Sequence, residues 1–144
     1  MFVVDTNILV YAADRNAEHH DSCRTRVDAW RRSAGAWYVT WSICYEFLRV
    51  VTHRAVLRSP WSVTAATDFV DALLAAPGLA VLRPTERHRD VLREVVELVP
   101  HARGNLIHDL HIAVLMREHG IRTIQTRDTA FHRFDFVDVV DPVD

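Results

Sequence analysis

Short runs of β-branched and apolar residues recur along this chain, separated by longer stretches of helical composition. Phe2-Val3-Val4 comes first and ends at Asp5; residues 37–40, 79–82, 122–126 and 137–140 follow. Helices are expected between them. One covers residues 18–33, a second starts with Ser42 as its cap and runs to about residue 57, and a third spans residues 62–76. A fourth, capped by Thr85, carries Val91, Val95 and Leu98, and the most apolar covers residues 106–119, opened by Gly104-Asn105 and closed by Gly120. Parallel strands need a helical crossover between them, so this alternation predicts an α/β fold around a mainly parallel sheet of four to five strands.

No linker, repeat or low-complexity stretch interrupts the 144 residues, which are expected to form one domain. Cys23 and Cys44 are too few for a disulfide framework and read as reduced core thiols. No apolar run nears the roughly 20 residues a membrane span requires, and no basic segment precedes the first apolar residues. A cytoplasmic protein with no membrane partner is therefore expected. The formal net charge is −2, so no global basic field advertises nucleic acid. All 17 basic residues are arginine. Without lysine, the chain cannot be a P-loop nucleotide hydrolase.

The acids carry more information. In open α/β sheets, sites lie beyond the carboxyl ends of the strands. Asp5 directly follows the first strand, and Asp128 follows the run ending at Thr126. Glu46 and Asp109 stand instead within apolar helical stretches, where an acid is costly to bury unless paired, hydrogen-bonded or bound to metal. Four converging carboxylates would repel one another, and a hard divalent cation relieves that repulsion. Oxygen-only ligands suit Mg²⁺ or Mn²⁺. Taken singly, each acid has a plainer reading as an N-cap, a surface charge or a salt-bridge partner.

These residues also stand in a recognisable order. Val3-Val-Asp-Thr-Asn-Ile-Leu resembles the opening motif of PIN domains, and Tyr45-Glu46 resembles their internal glutamate. His108-Asp109-Leu-His-Ile-Ala resembles the third acid, and Thr126-Arg-Asp128-Thr-Ala-Phe131 the closing motif. The acids are separated by 41, 63 and 19 residues, and the likeness runs across essentially the whole chain. The length and the ending Val-Val-Asp-Pro are similar to VapC-type toxins. The resemblance implies a three-layer α/β/α sandwich and a Mg²⁺- or Mn²⁺-dependent endoribonuclease acting on RNA. It further implies a homodimer and inhibition by a VapB-type antitoxin.

Carried over residue by residue, Asp5, Glu46, Asp109 and Asp128 are the acids, with Asp5 and Asp109 foremost for direct metal ligation. Thr6, Asn7 and Thr126 would orient Asp5, the metal or a phosphate; Thr6 and Asn7 serve equally well as caps of a helix after strand one. Asn105, one turn before Asp109, would steer its carboxylate or act as an N-cap. His108 and His111 lack the further ligands that zinc requires. An RNA-processing nuclease outside any toxin pair, or a non-catalytic PIN-fold interaction module, would share this sequence pattern. A haloacid-dehalogenase-type phosphatase would not, because Asn7 replaces its second aspartate and no lysine is available.

Overall fold

A computed structural model describes residues 1–144. Five strands, β1 (Phe2–Val4), β2 (Trp37–Thr40), β3 (Leu79–Leu82), β4 (Thr123–Gln125) and β5 (Asp138–Val140), form one sheet in the order β3-β2-β1-β4-β5. Every pairing is parallel, with Val3 opposite both Tyr38 and Ile124. Six α-helices connect them: α1 (Thr6–Ala13), α2 (His20–Arg32), α3 (Trp41–Val51), α4 (Val63–Leu74), α5 (His88–Leu98) and α6 (Leu106–Glu118). A 3-10 turn at Thr129–Arg133 joins β4 to β5.

The strand order runs outward from β1 to β3 and then reverses to β4 and β5. Right-handed crossovers therefore put α1–α4 on one face of the sheet and α5, α6 and the 3-10 turn on the other. Packing agrees, since α1 touches α2 and α3, α3 touches α4, and α6 touches both α5 and the 3-10 turn. The result is the expected α/β/α sandwich. The reversal falls between β1 and β4, which is where an open α/β sheet opens a crevice.

Local chemistry explains the element ends. Asp5, rather than Thr6 or Asn7, caps α1 by accepting from the Thr6 amide. Thr40, not Ser42, caps α3: its hydroxyl accepts from the Ile43 amide, and Ser42 bonds that hydroxyl instead. The helix stops at Val51, short of residue 57, where the Thr52 hydroxyl takes the Leu48 carbonyl. Thr85 stands ahead of α5, which begins only at His88, because its hydroxyl also serves Glu118 on α6. Gly120 closes α6 at φ 68°, a conformation that only glycine adopts without strain.

The core is continuous through both faces and holds Trp37, Phe47, Phe131 and Phe134 fully buried. Three of the four tryptophans are spent on packing. Trp30 packs against both Phe2 and Trp37, and Trp61 meets Phe47 and Phe69 edge-on. Only Trp41, at the first turn of α3, is left exposed. Helix α6 buries Leu110, the run from Ile112 to Met116, and Glu118, as expected of a helix apolar on nearly all sides. Cys23 and Cys44 are free and buried, and burial pushes the Cys44 thiol up to about 11. No helix is long and apolar enough to cross a membrane.

Candidate active site

Asp5 sits where β1 ends and α1 begins, 7% exposed. Its Oδ1 accepts from the Thr6 amide at 2.7 Å. Its Oδ2 accepts from the Thr126 hydroxyl at 2.7 Å and from Asn7 Nδ2 at 2.9 Å. Asn7 Nδ2 also donates to Thr126 Oγ1, while Asn7 Oδ1 receives the Arg127 amide. Thr126 Oγ1 in turn accepts the Asp128 amide at 2.9 Å. Thr126 and Asn7 thus tie the end of β1 to the end of β4 and aim two acids into one crevice. Thr6 contributes through its backbone amide alone, since its hydroxyl turns to the Ile43 carbonyl of α3.

Asp128 caps the 3-10 turn with Oδ1, accepting from the Ala130 amide at 2.8 Å. Asp109 arrives from the opposite side, in the first turn of α6. Its carboxylate forms no hydrogen bond or ion pair with the protein. Burial, with the charges of Asp128 and Asp5, pushes it up to about 7 from its usual 3.8. Asp5 is raised as well, chiefly by burial. Hydrogen bonds from Thr126 and Thr6 oppose that rise, and the charges of Asp128 and Glu46 add to it. Three aspartates therefore act on one another across the crevice.

Glu46 stands further out. The expectation of an acid buried in an apolar helix does not hold, because its side chain is 42% exposed on the flank of α3. Arg49, one turn later, grips both carboxylate oxygens at 2.6 and 2.9 Å and holds Glu46 below its usual pKa. Its charge still reaches Asp5. Asn105 lines the same cleft as Asp109 but neither bonds that carboxylate nor caps α6 through its side chain. His111 is engaged by Ser42, with Nδ1 3.2 Å from its hydroxyl.

The structure adds residues that the sequence pattern did not mark. Glu118 is a second acid inside α6, with a fully buried side chain. It accepts from the Thr85 amide and hydroxyl and lies 2.7 Å from His88 Nδ1. Arg103 and Arg133 line the cleft beside Asp109 and Asp128. Their adjacency to Gly104 and to the closing motif was the available signal, but nothing in it separates them from the other fifteen arginines.

Comparison with known proteins fits this geometry. The PIN-domain profile matches residues 2–137. The chain belongs to the PIN-domain family. Within it, the VapC ribonucleases are similar along nearly their whole length. Ribonuclease VapC48 of Mycobacterium tuberculosis is 33% identical over 138 residues, 96% of this chain and 94% of that protein. VapC ribonuclease Mb2897 of Mycobacterium bovis is 37% identical over 134 residues, 93% and 90% of the two chains. Among solved structures, VapBC2 from Rickettsia felis, bound to a promoter DNA fragment, superposes with a TM-score of 0.67. It is 18% identical and covers 96% of each chain. The M. tuberculosis sarcin–ricin-loop-cleaving toxin VapC20 gives 0.62 at 18% identity, covering 92% of this chain and 93% of its own.

The donor set can be tested against the divalent cation that this family implies. Asp109 is a half-buried carboxylate without a protein partner, facing two like charges, and an added cation would answer both deficits. No three His, Cys, Asp or Glu side chains close on a single point, which excludes a dehydrated, all-protein cage. Mg²⁺ needs no such cage, because it keeps several waters and binds through one or two carboxylates. The residues fit that mode of binding.

Proposed function

We propose that this chain is a Mg²⁺- or Mn²⁺-dependent endoribonuclease, the toxin of a VapBC-type pair, with residues 1–144 acting as one PIN domain. The observation that carries this reading is Asp109, unpartnered and pushed up to about 7 beside Asp5 and Asp128 at the β1–β4 crevice. Asp5 and Asp109 would hold the ion directly, with Asp128 and Glu46 acting through its waters. When bound, such an ion lowers the pKa of water and neutralises charge developing on a phosphodiester. Thr126 and Asn7 keep the Asp5 carboxylate turned into the crevice, and the Thr126 hydroxyl fixes the backbone that bears Asp128.

The antitoxin partner is supported by the named relatives and by the VapBC and FitAB assemblies among the structural neighbours. A homodimer is supported by exposed apolar side chains on α3 and α5, among them Trp41, Tyr45, Leu92 and Val96. The cytoplasm, where RNA and a protein antitoxin meet, is the proposed place of action.

Purified, antitoxin-free protein is incubated with total RNA in Mg²⁺, Mn²⁺ or EDTA, beside folded Asp5→Asn and Asp109→Asn variants. Cleavage that requires metal and disappears in both variants is expected. Variants that cut like wild type would refute the site. Metal-loaded protein that cuts no RNA would leave an interaction module.

A further inference from the structure

An open cleft of about 1080 Å³ lies against the acidic centre, walled by the α5–α6 loop and by the 3-10 turn. Each wall brings one acid and one arginine, Asp109 with Arg103 from α6 and the loop before it, and Asp128 with Arg133 from the 3-10 turn and its cap. Both arginines are exposed, and neither meets a carboxylate or a hydrogen-bond acceptor. The other arginines near the crevice are already engaged, Arg49 by Glu46 and Arg127 by Asp141. Two free guanidiniums thus share one cleft with two aspartates.

That combination of charges has a direct chemical reading. An RNA strand approaching Asp109 and Asp128 meets like charge, and a cation at the acids answers only the phosphate being cut. The neighbouring phosphates need positive charge of their own. Guanidinium binds phosphate bidentately and stays charged throughout the working pH range. No Phe, Tyr or Trp lines the cleft, and the His101 imidazole is its one aromatic ring, so charge outweighs stacking among the groups it offers a strand. A contact of this kind grips the backbone and positions it, and carries no sequence information.

We propose that Arg103 and Arg133 form a phosphate clamp for single-stranded RNA, holding the strand beside Asp109 and Asp128 regardless of its sequence. The inference rests on the RNA-cleaving reading of the acidic centre.

The test measures anisotropy of two fluorescein-labelled single-stranded RNA 15-mers, oligo-U and a mixed sequence. The protein carries Asp109→Asn to silence cleavage, and KCl runs from 50 to 200 mM, conditions set by the usual salt dependence of such binding. Arg103→Ala and Arg133→Ala are each expected to weaken binding about tenfold and to reduce the log–log salt slope by about 0.7, the value for one phosphate contact on a single strand. Both RNAs should weaken by the same factor. Arg103→Lys should keep most of the slope. Arg32→Ala, at the opposite edge of the sheet beside Pro77, should change nothing. Circular dichroism confirms that each variant is folded.

Parent-like affinity and slope in both alanine variants, while the wild-type protein cuts RNA, would overturn the clamp alone. No RNA binding by the parent and no cutting by wild type would overturn both readings. A loss confined to one RNA sequence would replace the clamp with base recognition. A fluorescein-labelled poly-glutamate 15-mer is titrated in parallel, and alanine variants that lose it while keeping RNA binding would assign the arginines to an acidic polypeptide and overturn the proposal.

Discussion

Replacing Asp109 by Asn should stabilise the metal-free protein, and the size of the effect should depend on pH. The folded protein holds the Asp109 proton up to about pH 7, whereas the unfolded chain releases it near 3.8. Between those values the folded state binds more protons, so the stability that Asp109 contributes falls as pH rises through this window. A rise of roughly three units at 1.36 kcal/mol per unit sets a ceiling of about 4 kcal/mol. Asp109 faces an open cleft, and solvent screening cuts this to about 2 kcal/mol. Asn carries no charge at any pH, so Asp109→Asn escapes the penalty. Urea unfolding in EDTA should show the variant about 2 kcal/mol more stable than wild type at pH 8, with the gap shrinking as pH falls below 7 and closing only below the unfolded value of 3.8. In a thermal scan at pH 8 the difference corresponds to about 6 °C for a chain of this size. Saturating Mn²⁺ should raise wild type by about 3 kcal/mol at a hundredfold excess over Kd and leave the variant nearly unmoved. A variant less stable than wild type at pH 8, or a gap that stays flat with pH, would refute the view that Asp109 is electrostatically frustrated.

Other perturbations separate positioning from packing. Thr126→Val removes a donor to Asp5 and the acceptor for the Asp128 amide. RNA cleavage should fall by about two orders of magnitude and stability by about 2 kcal/mol, with Thr126→Ser restoring both. Arg49→Ala breaks an exposed pair with Glu46, so urea unfolding should move by less than about 1 kcal/mol. Gly78→Ala would place a Cβ 2.1 Å from the Gly35 carbonyl oxygen, backbone against backbone. Its denaturation midpoint should show a loss of about 3 kcal/mol with the cleavage chemistry intact.

Much of this architecture is visible in the residues because strand, helix and turn signals agree at most positions. Residues 37–40 and 79–82 are strands as expected, and Ser62 and Gly120 end their helices as caps should. Two misplaced caps share one cause, a side chain near a helix end drawn away to other partners, whereas α3 ends early through the local bond from Thr52 to the Leu48 carbonyl. Thr85 is taken by Glu118, and Ser42 by Thr40 and His111. No local pattern predicts a partner 33 or 69 residues away. The position of Glu46 shows a different limit. An apolar neighbourhood in sequence reads as burial, yet α3 presents Tyr45, Glu46 and Arg49 outward, and the ion pair replaces the core. Three of the four acids converge because the β1–β4 reversal puts Asp5 and Asp128 together, and only chain topology determines that.

Helix α6 shows why burial alone does not mark a functional acid. Asp109 and Glu118 both interrupt its apolar run, and Glu118 is the more deeply buried of the two. Burial pushes Glu118 upward, but bonds from Thr85 and His88 outweigh it and leave the group below its usual pKa. The carboxylate is therefore charged and satisfied, a structural tie between α6 and the segment leading into α5. Its stability is present above the unfolded pKa of 4.5 and is lost as pH falls below it. Glu118→Ala should cost about 3 kcal/mol at neutral pH by leaving those donors buried without an acceptor, a loss measurable by urea unfolding. Asp109 is the reverse case. It keeps a free carboxylate lining a cleft, raised by burial and then by the charges of Asp128 and Asp5, and bonded to nothing. Removing the satisfied acid should weaken the fold, and removing the unsatisfied one should strengthen it. If both substitutions destabilise equally, the missing partner of Asp109 is supplied by the protein, and the argument for a cation at the crevice fails.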